Sequence, residues 1–449
     1  MRKLLAALAL LLAPVAAQAQ VETPDAALAR DAATWGAMAG LTDREAEAQM
    51  RAQVATGPVT AALETEFADR LAGIAVTHLP SYRIDVLLTG GAPVVDRVID
   101  AGGVQVTIAF RFGAPATRKQ LLAALTRHQA AIRASFLRPP GMGVDARAGA
   151  LAVLVSSQDA AREPFALAEQ RLADLTGVPV VVRRLDRTED AAAEGGARVV
   201  GTVDGHRYLC TTAFVVTDGA RSGVLTAAHC PDTLAFVEAD RTETPLPFAG
   251  QWGWSFQDVQ LHTSDVALQP LFYADSARTV QRAVTGVRSR TATRVGDVVC
   301  HRGERSGYSC AEVAYVDYAP PGDLCGGPCA PSWVAVEGPT CRPGDSGGPV
   351  FEGTTALGIL KGASYRADGV CSLYYYMSVD YLPSGWRVAV DPPRNGEVAA
   401  RSAEGRGAVA GGIPDREPPP PPSLRAGDPP PRPGEGQGAS RPSLLAAAS

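Results

Sequence analysis

Ser346 stands in Cys341-Arg-Pro-Gly-Asp-Ser-Gly-Gly-Pro349, where glycine and proline surround a single serine and an acid precedes it. Glycine is loose and proline lacks an N–H, so this run is neither helix nor mid-strand. It reads as a tight loop whose backbone amides point into one small space. A serine presented this way is a candidate nucleophile, and the N–H groups of Gly344 and Ser346 could hold an oxyanion. As a bare Gly-x-Ser-x-Gly pattern the run would be only a turn; the hexapeptide Gly344–Pro349 is far more specific. Such a nucleophile needs a base, and the base needs an orienting acid. Four histidines, His206, His229, His262 and His301, lie in the β-rich part before Ser346. His229 closes the apolar run Leu225-Thr-Ala-Ala-His-Cys230. A lone histidine there is usually a core or capping residue; beside the Ser346 loop it becomes the candidate general base. Asp258 and Asp265 are the candidate acids between the two motifs.

The elements that must position these groups differ along the chain. Residues 24–75 are rich in Ala, Glu, Arg and Leu, and Thr42-Asp-Arg-Glu45 is a capping box opening a helix to about Ala55. Residues 59–71 read as another helix. Strand-like runs at 84–88 and 104–110 precede a helical spacing over 118–136. Then come a strand at 151–155, a helix over 165–175 ended by Gly177, and a strand at 178–182. This α+β region holds no cysteine and reads as an independent structural module. Residues 188–196 read as an exposed linker. From Arg198 the texture is all-β, with short runs at 199–203, 211–216, 223–227 and 298–301, as in a packed antiparallel barrel. After about Val390 periodicity is lost, and 414–437 are dense in Pro, Gly and charge, a composition expected to stay disordered.

Composition narrows the function classes. A chain of 449 residues implies two to three units, and 46% hydrophobic residues suffice for real cores. A net charge of −5 without a lysine-rich run gives no field for nucleic acid. Arg2 and Lys3, the apolar run to Ala17 and Ala17-Gln18-Ala19 form a signal peptide over 1–19, too short for a membrane anchor. Export makes disulfides the expected state of the eight cysteines, all between Cys210 and Cys371. A zinc set around Cys300-His301 and Cys325–Cys329 lacks a second pair at finger-like spacing, so no metal and no cofactor is expected.

The His229 and Ser346 motifs together resemble those of chymotrypsin-fold serine proteases, in the same chain order. An α/β-hydrolase would need the serine first, which excludes an esterase on that fold. Cys300-His-Arg-Gly-Glu-Arg-Ser-Gly-Tyr-Ser-Cys310 is similar to the small disulfide loop of the secreted bacterial branch, alpha-lytic protease and the streptogrisins. Thr355-Ala-Leu-Gly-Ile-Leu-Lys-Gly362 looks like their substrate-binding strand. The resemblance implies an all-β catalytic domain, a chymotrypsin-like double antiparallel β-barrel over 197–388, preceded by an α+β pro-region over 20–196 and followed by a Pro/Gly-rich tail over 389–449. It implies a secreted, monomeric serine endopeptidase made as a preproenzyme. Its partners are protein or peptide substrates and its own pro-region, acting as folding aid and inhibitor. An inactive binding protein on the same fold is the alternative.

By the same resemblance Cys210 pairs with Cys230, Cys300 with Cys310 and Cys341 with Cys371, leaving Cys325 with Cys329. Asp265 lies in the better local match to the family's acid motif, whereas the strand–turn–strand spacing that the fold requires favours Asp258. Asp345, the acid beside the candidate nucleophile, needs a positive or donor partner if buried; in the bacterial branch the equivalent acid meets a basic residue of the small disulfide loop, here at His301 with Arg302 next to it. Cleavage is then expected around 194–198. Arg198-Val-Val-Gly201 also resembles the activation site of the animal branch, where a new ammonium group plays the basic part. Two departures stand out: Lys361 replaces a usual serine on the substrate-binding strand, and the loop before Ser346 is one residue short.

Overall fold

A computed structural model describes residues 20–391 except 186, 191–195, 239–240, 265–267 and 367–368. The segments read as signal peptide and as tail thus lie outside the described residues, apart from 389–391. No described helix is long and apolar enough to cross a membrane.

The α+β region starts with strand Gln20–Glu22 and helices Pro24–Ala39 and Asp43–Glu66. The Thr42 hydroxyl accepts from Glu45 N at 3.3 Å, and the Glu45 carboxylate accepts from Thr42 N at 2.9 Å, so two orphan donors are satisfied at once. The helices expected at 42–55 and 59–71 are one element of 24 residues, with Pro58 inside it. Proline costs only its own missing N–H and local crowding, and burial of Met50, Ala52 and Leu63 along the helix outweighs that local penalty. Leu71, read as the last residue of a helix, instead opens the strand Leu71–Thr77. That strand joins Arg83–Thr89, Val104–Ala114 and Arg97–Ala101 in a four-stranded sheet under the long helix. A second layer packs helices Arg118–Ala134 and Phe165–Thr176 on strands Gly141–Asp145, Ala150–Val155 and Val180–Arg184.

From Arg198 onward the chain is β-rich, in two halves. In the first half, two antiparallel sheets, one around Arg198–Val203 and one around Ser222–Thr226, follow one another through short connections. In the second, six antiparallel strands close on themselves: Val298–Gly303, Pro349–Glu352, Thr355–Tyr365, Cys371–Ser378, Trp333–Glu337 and Gly307–Ala319, the last pairing again with the first. Four disulfides join Cys210 to Cys230, Cys300 to Cys310, Cys325 to Cys329 and Cys341 to Cys371. The architecture is an all-β domain preceded by an α+β region.

The α+β region is not independent. Tyr318 pairs with Gly143 and Ala319 with Met142, so its second sheet continues the closed barrel. Gln20–Glu22 lies parallel to Val280–Ala283. The stretch read as an exposed linker begins instead as strand Arg187–Asp190, antiparallel to the end of Thr355–Tyr365. A buried polar cluster reinforces the junction. Arg282, fully buried, meets Asp31 at 2.7 Å, Glu22 at 2.9 Å and Gly353 O at 3.1 Å, while Asp31 also accepts from Gly353 N and the Tyr308 hydroxyl. Burial pushes the Asp31 carboxyl above its ordinary value, against the pull of Arg282.

Removing one member of a buried pair leaves an uncompensated charge. Asp31→Ala is therefore expected to destabilise the full-length chain by about 3 kcal/mol. Urea denaturation measures this, and a loss below about 1 kcal/mol would show that the cluster contributes little.

Candidate active site

The loop carrying Ser346 is held from three sides. Asp345 N donates to Arg342 O at 3.1 Å, closing a turn with Pro343 and Gly344 in its middle. Gly344 has φ +119° and Gly347 φ +84°, a region where side chains are strained. The Gly344 N–H takes no part in the turn's closing bond. Gly347 N donates to Leu360 O and Leu360 N to Gly348 O, which staples the loop to strand Thr355–Tyr365. Thr211 N donates to Ser346 O at 3.1 Å, tying it to the first half of the β-rich domain.

Asp345 is the third anchor. Its carboxylate, fully buried, accepts from Arg342 N at 2.7 Å, Ser306 N at 3.0 Å and Arg305 N at 3.1 Å. Backbone amides of the Val298–Ala319 hairpin thus take up the charge. His301, expected as a basic partner, is buried against Tyr374 and faces the hydroxyls of Ser306 and Ser309. Burial pulls its pKa down to about 4, although Asp345 pulls it up, so the ring is neutral near pH 7. Arg302 pairs with Glu304 at 2.6 Å. Amide donors of the hairpin tip went unrecognised in the sequence, although Gly303 carried a trace of them: a Cβ there would overlap the Asp345 carboxylate.

His229 follows strand Ser222–Thr226, where Thr226 Oγ1 donates to Thr211 O at 2.6 Å and Cys230 is bonded to Cys210. The imidazole therefore leaves the strand end at a fixed place. Its Nε2 lies 2.8 Å from Ser346 Oγ and its Nδ1 2.9 Å from Asp258 Oδ2. His229 N also donates to Asp258 Oδ1 at 3.2 Å, gripping the carboxylate by both oxygens. Asp258 immediately precedes strand Val259–Ser264 and is buried. Burial pushes its carboxyl up, but the charges of His229 and Lys361 and their hydrogen bonds outweigh this and hold it below the usual carboxylate range. Asp265 lies outside the described residues. The Ser346 hydroxyl also reaches Lys361 O at 3.1 Å. The Lys361 side chain, 2% exposed, places Nζ 3.3 Å from Asp258 Oδ2.

His206 stands at the exposed start of strand His206–Thr211, away from these contacts, and His262 bonds Gln260 and Leu246 O. Neither meets Ser346. The site therefore unites an acid, an imidazole and a hydroxyl in line, which is an arrangement able to move a proton from the hydroxyl to the ring.

Because Gly303 must lack a side chain for Asp345 to reach its amides, Gly303→Ala is expected to shift the Ser346 loop. Displacement of a reacting group by about 1 Å costs on the order of 100-fold in rate. Labelling of the protein by a fluorophosphonate, followed over time, reads this loss; a rate within about threefold of wild type would show that the loop tolerates the change.

No family model matches the chain. Streptogrisin-C of Streptomyces griseus is 24% identical over 195 residues, 41% of this chain and 40% of that protein. Streptogrisin-D of the same organism is 29% identical over 171 residues, 36% of this chain and 39% of that protein. The chain thus spans about two fifths of the length of these curated relatives. Among solved structures, Thermobifida fusca Protease A is 21% identical, with 44% of this chain and 98% of that one covered at a TM-score of 0.35. An alpha-lytic protease homolog, N4, is 20% identical, with 42% and 93% covered at a TM-score of 0.31. Over about two fifths of its length the chain is similar in sequence to the streptogrisins, bacterial serine proteases of the chymotrypsin fold.

Proposed function

We propose that this chain is the precursor of an exported serine endopeptidase that cleaves peptide bonds through an acyl-enzyme. The observation that carries the reading is the array Asp258–His229–Ser346, with successive contacts of 2.9 and 2.8 Å. Ser346 Oγ attacks the carbonyl carbon while His229 Nε2 takes its proton. The C–N bond then breaks as His229 returns that proton to the leaving amine, and water repeats the sequence to free the acid. Asp258 keeps the ring in the tautomer with Nδ1–H and stabilises the imidazolium. The N–H groups of Gly344 and Ser346 receive the developing oxyanion. Residues 1–19 serve as signal peptide and 197–388 as the catalytic domain, with Cys210–Cys230, Cys300–Cys310, Cys325–Cys329 and Cys341–Cys371 as its staples.

The region 20–196 acts as folding aid and inhibitor. In support, strand Arg187–Asp190 lies along Gly362–Tyr365, with Asp190 opposite Gly362. That position adjoins Lys361, whose carbonyl meets Ser346 Oγ. On the other side, Ala197 N donates to Thr212 Oγ1, next to the residue whose amide holds Ser346 O. Both segments thus pair beside residues that contact Ser346, and self-cleavage falls between Asp190 and Arg198. The ammonium route is disfavoured. Val199 is buried in mid-strand against Cys210 and Phe236, and three amides already satisfy Asp345.

Ser346→Ala and His229→Ala are each expected to lower peptide hydrolysis by about 10⁴-fold or more, since the members act as a unit. Asp258→Asn should lose about 10⁴-fold in turnover through the wrong tautomer. Assays on a peptide library measure all three, with Asp265→Asn as the control that keeps substantial activity; the opposite ranking of the two acids would remove Asp258 from the mechanism.

Processing has its own test. The secreted Ser346→Ala chain should remain uncleaved, and N-terminal sequencing of the wild-type enzyme should place its first residue between 191 and 198. A cleaved Ser346→Ala chain would assign the cut to another protease.

A further inference from the structure

Asp258 has a second cationic neighbour that a three-residue site does not require. Lys361 lies within strand Thr355–Tyr365, yet its side chain is buried. Its Nζ approaches Asp258 Oδ2 at 3.3 Å, the same oxygen that meets His229 Nδ1 at 2.9 Å. On another side Nζ lies 5.6 Å from the centroid of Trp333, a ring that is itself fully buried. A carboxylate and an aromatic face both attract an ammonium group and hold it in place. The same residue's carbonyl meets Ser346 Oγ at 3.1 Å. Lys361 therefore touches the acid through its side chain and the nucleophile through its backbone.

We propose that Lys361 is a positioning residue of the triad, whose buried ammonium shares the Asp258 carboxylate with His229 and so sets the proton affinity of the imidazole. The inference rests on the reading of Asp258, His229 and Ser346 given above. Its physical basis is a charge count. With Asp258 alone, protonating His229 converts a site of charge −1 into a neutral one. With Lys361 present, protonation converts a neutral site into one of charge +1, beside a carboxylate and a lysine that are both buried. The imidazolium is therefore less favoured, and the neutral ring needed to take the Ser346 proton persists to lower pH.

The other charged groups near the site do not provide this effect. Asp345, on the nucleophile loop, is turned to the amides of Arg305, Ser306 and Arg342. Arg342 on the same loop is exposed. Asp232, just after the His229 segment, meets Gln260 at 3.3 Å. Strand Cys371–Ser378 offers Asp258 the thioether of Met377, which accepts from Asp258 N at 3.3 Å and carries no charge. The cation facing Asp258 beside His229 is thus Lys361.

Lys361 also accounts for how a buried carboxylate keeps its position. Oδ1 is held by His229 N and Oδ2 by two donors, so the acid is restrained whichever way its proton partners move. A purely structural lysine would lend stability without altering when the ring titrates. That difference separates the two roles.

The test reads the imidazole directly. In the full-length Ser346→Ala chain, the His229 ring signals are followed by NMR against pH, with and without Lys361→Met, and with Lys361→Gln as a second uncharged variant. Replacing a buried charge by a side chain of similar length is often tolerated. The midpoint should rise by about one pH unit in either variant, the lower end of the effect of a charge a few ångströms away. In parallel, enzyme obtained by processing of the full chain should lose kcat/KM at low pH, by about tenfold relative to its plateau value, with the acid limb moving upward by the same unit. Lys361→Arg, which retains the charge, should restore the wild-type limb. An unmoved His229 midpoint in a folded Lys361→Met or Lys361→Gln chain overturns the proposal, as does a uniform loss of kcat/KM with no shift of the limb. A shifted His229 midpoint in the Ser346→Ala background, together with no peptide hydrolysis by the processed enzyme that retains Ser346, would instead remove the peptidase reading while leaving the electrostatic role of Lys361 in place.

Discussion

Asp345 is buried beside Ser346, and its charge is met by three backbone amides from two segments. An isolated buried carboxylate is so costly that the loop and the hairpin tip have to come together around it. That requirement sets much else. The hairpin must turn tightly at Gly303, the disulfide Cys300–Cys310 closes the same hairpin, and the turn over Arg342–Asp345 must contain Pro343 and Gly344. With the loop so held, Ser346 Oγ has one place to be, between His229 and Lys361 O. Amides also do this without a charged partner, which is why a neutral His301 is compatible with the site.

The α+β region contributes at three kinds of contact. It extends the closed barrel through Gly143 and Met142, inserts Asp31 against the buried Arg282, and lays Arg187–Asp190 beside the strand that adjoins Ser346. Gln53 adds a fourth, its amide bonding both N and O of Val298. These are interior contacts rather than a surface meeting. A β-rich domain that lost them would expose Arg282 and the edge of strand Gly307–Ala319, so completing its folding and leaving the region behind are physically opposed demands. The proposed roles of folding aid and inhibitor are two sides of that opposition.

Local signals predicted local structure well where the chain obeys one rule at a time. The Thr42 capping box, the Gly177 stop and the helical spacing over 118–136 all correspond to elements at those places. Failures came where packing overrides propensity. Pro58 does not end its helix because the helix buries a continuous face, and Leu71–Thr77 became a strand because neighbouring strands were there to pair with it. Residues 188–196 look solvent-loving by composition, yet strand Arg187–Asp190 finds a partner edge, which no composition records.

For the site itself, residue types and spacing pointed to Ser346 and His229 and left two candidate acids, because tight loops and strand-end histidines have demanding backbone needs that glycine, proline and cysteine make visible. The number of strands required after the acid favoured Asp258 over Asp265, and Asp258 is the carboxylate in contact with His229. What meets Asp345 and what Lys361 does were not legible. Amide donors carry no residue signature, so the cage around Asp345 appears only when the hairpin tip is placed against the loop. Lys361 departs from the pattern of similar proteases in sequence, but a lysine's charge has meaning only relative to what lies within a few ångströms of it. Folding set that charge against Asp258 and Trp333, because strand Thr355–Tyr365 turns this side chain inward. Chain order thus determined which groups are available for chemistry, and tertiary structure decided which charges they feel.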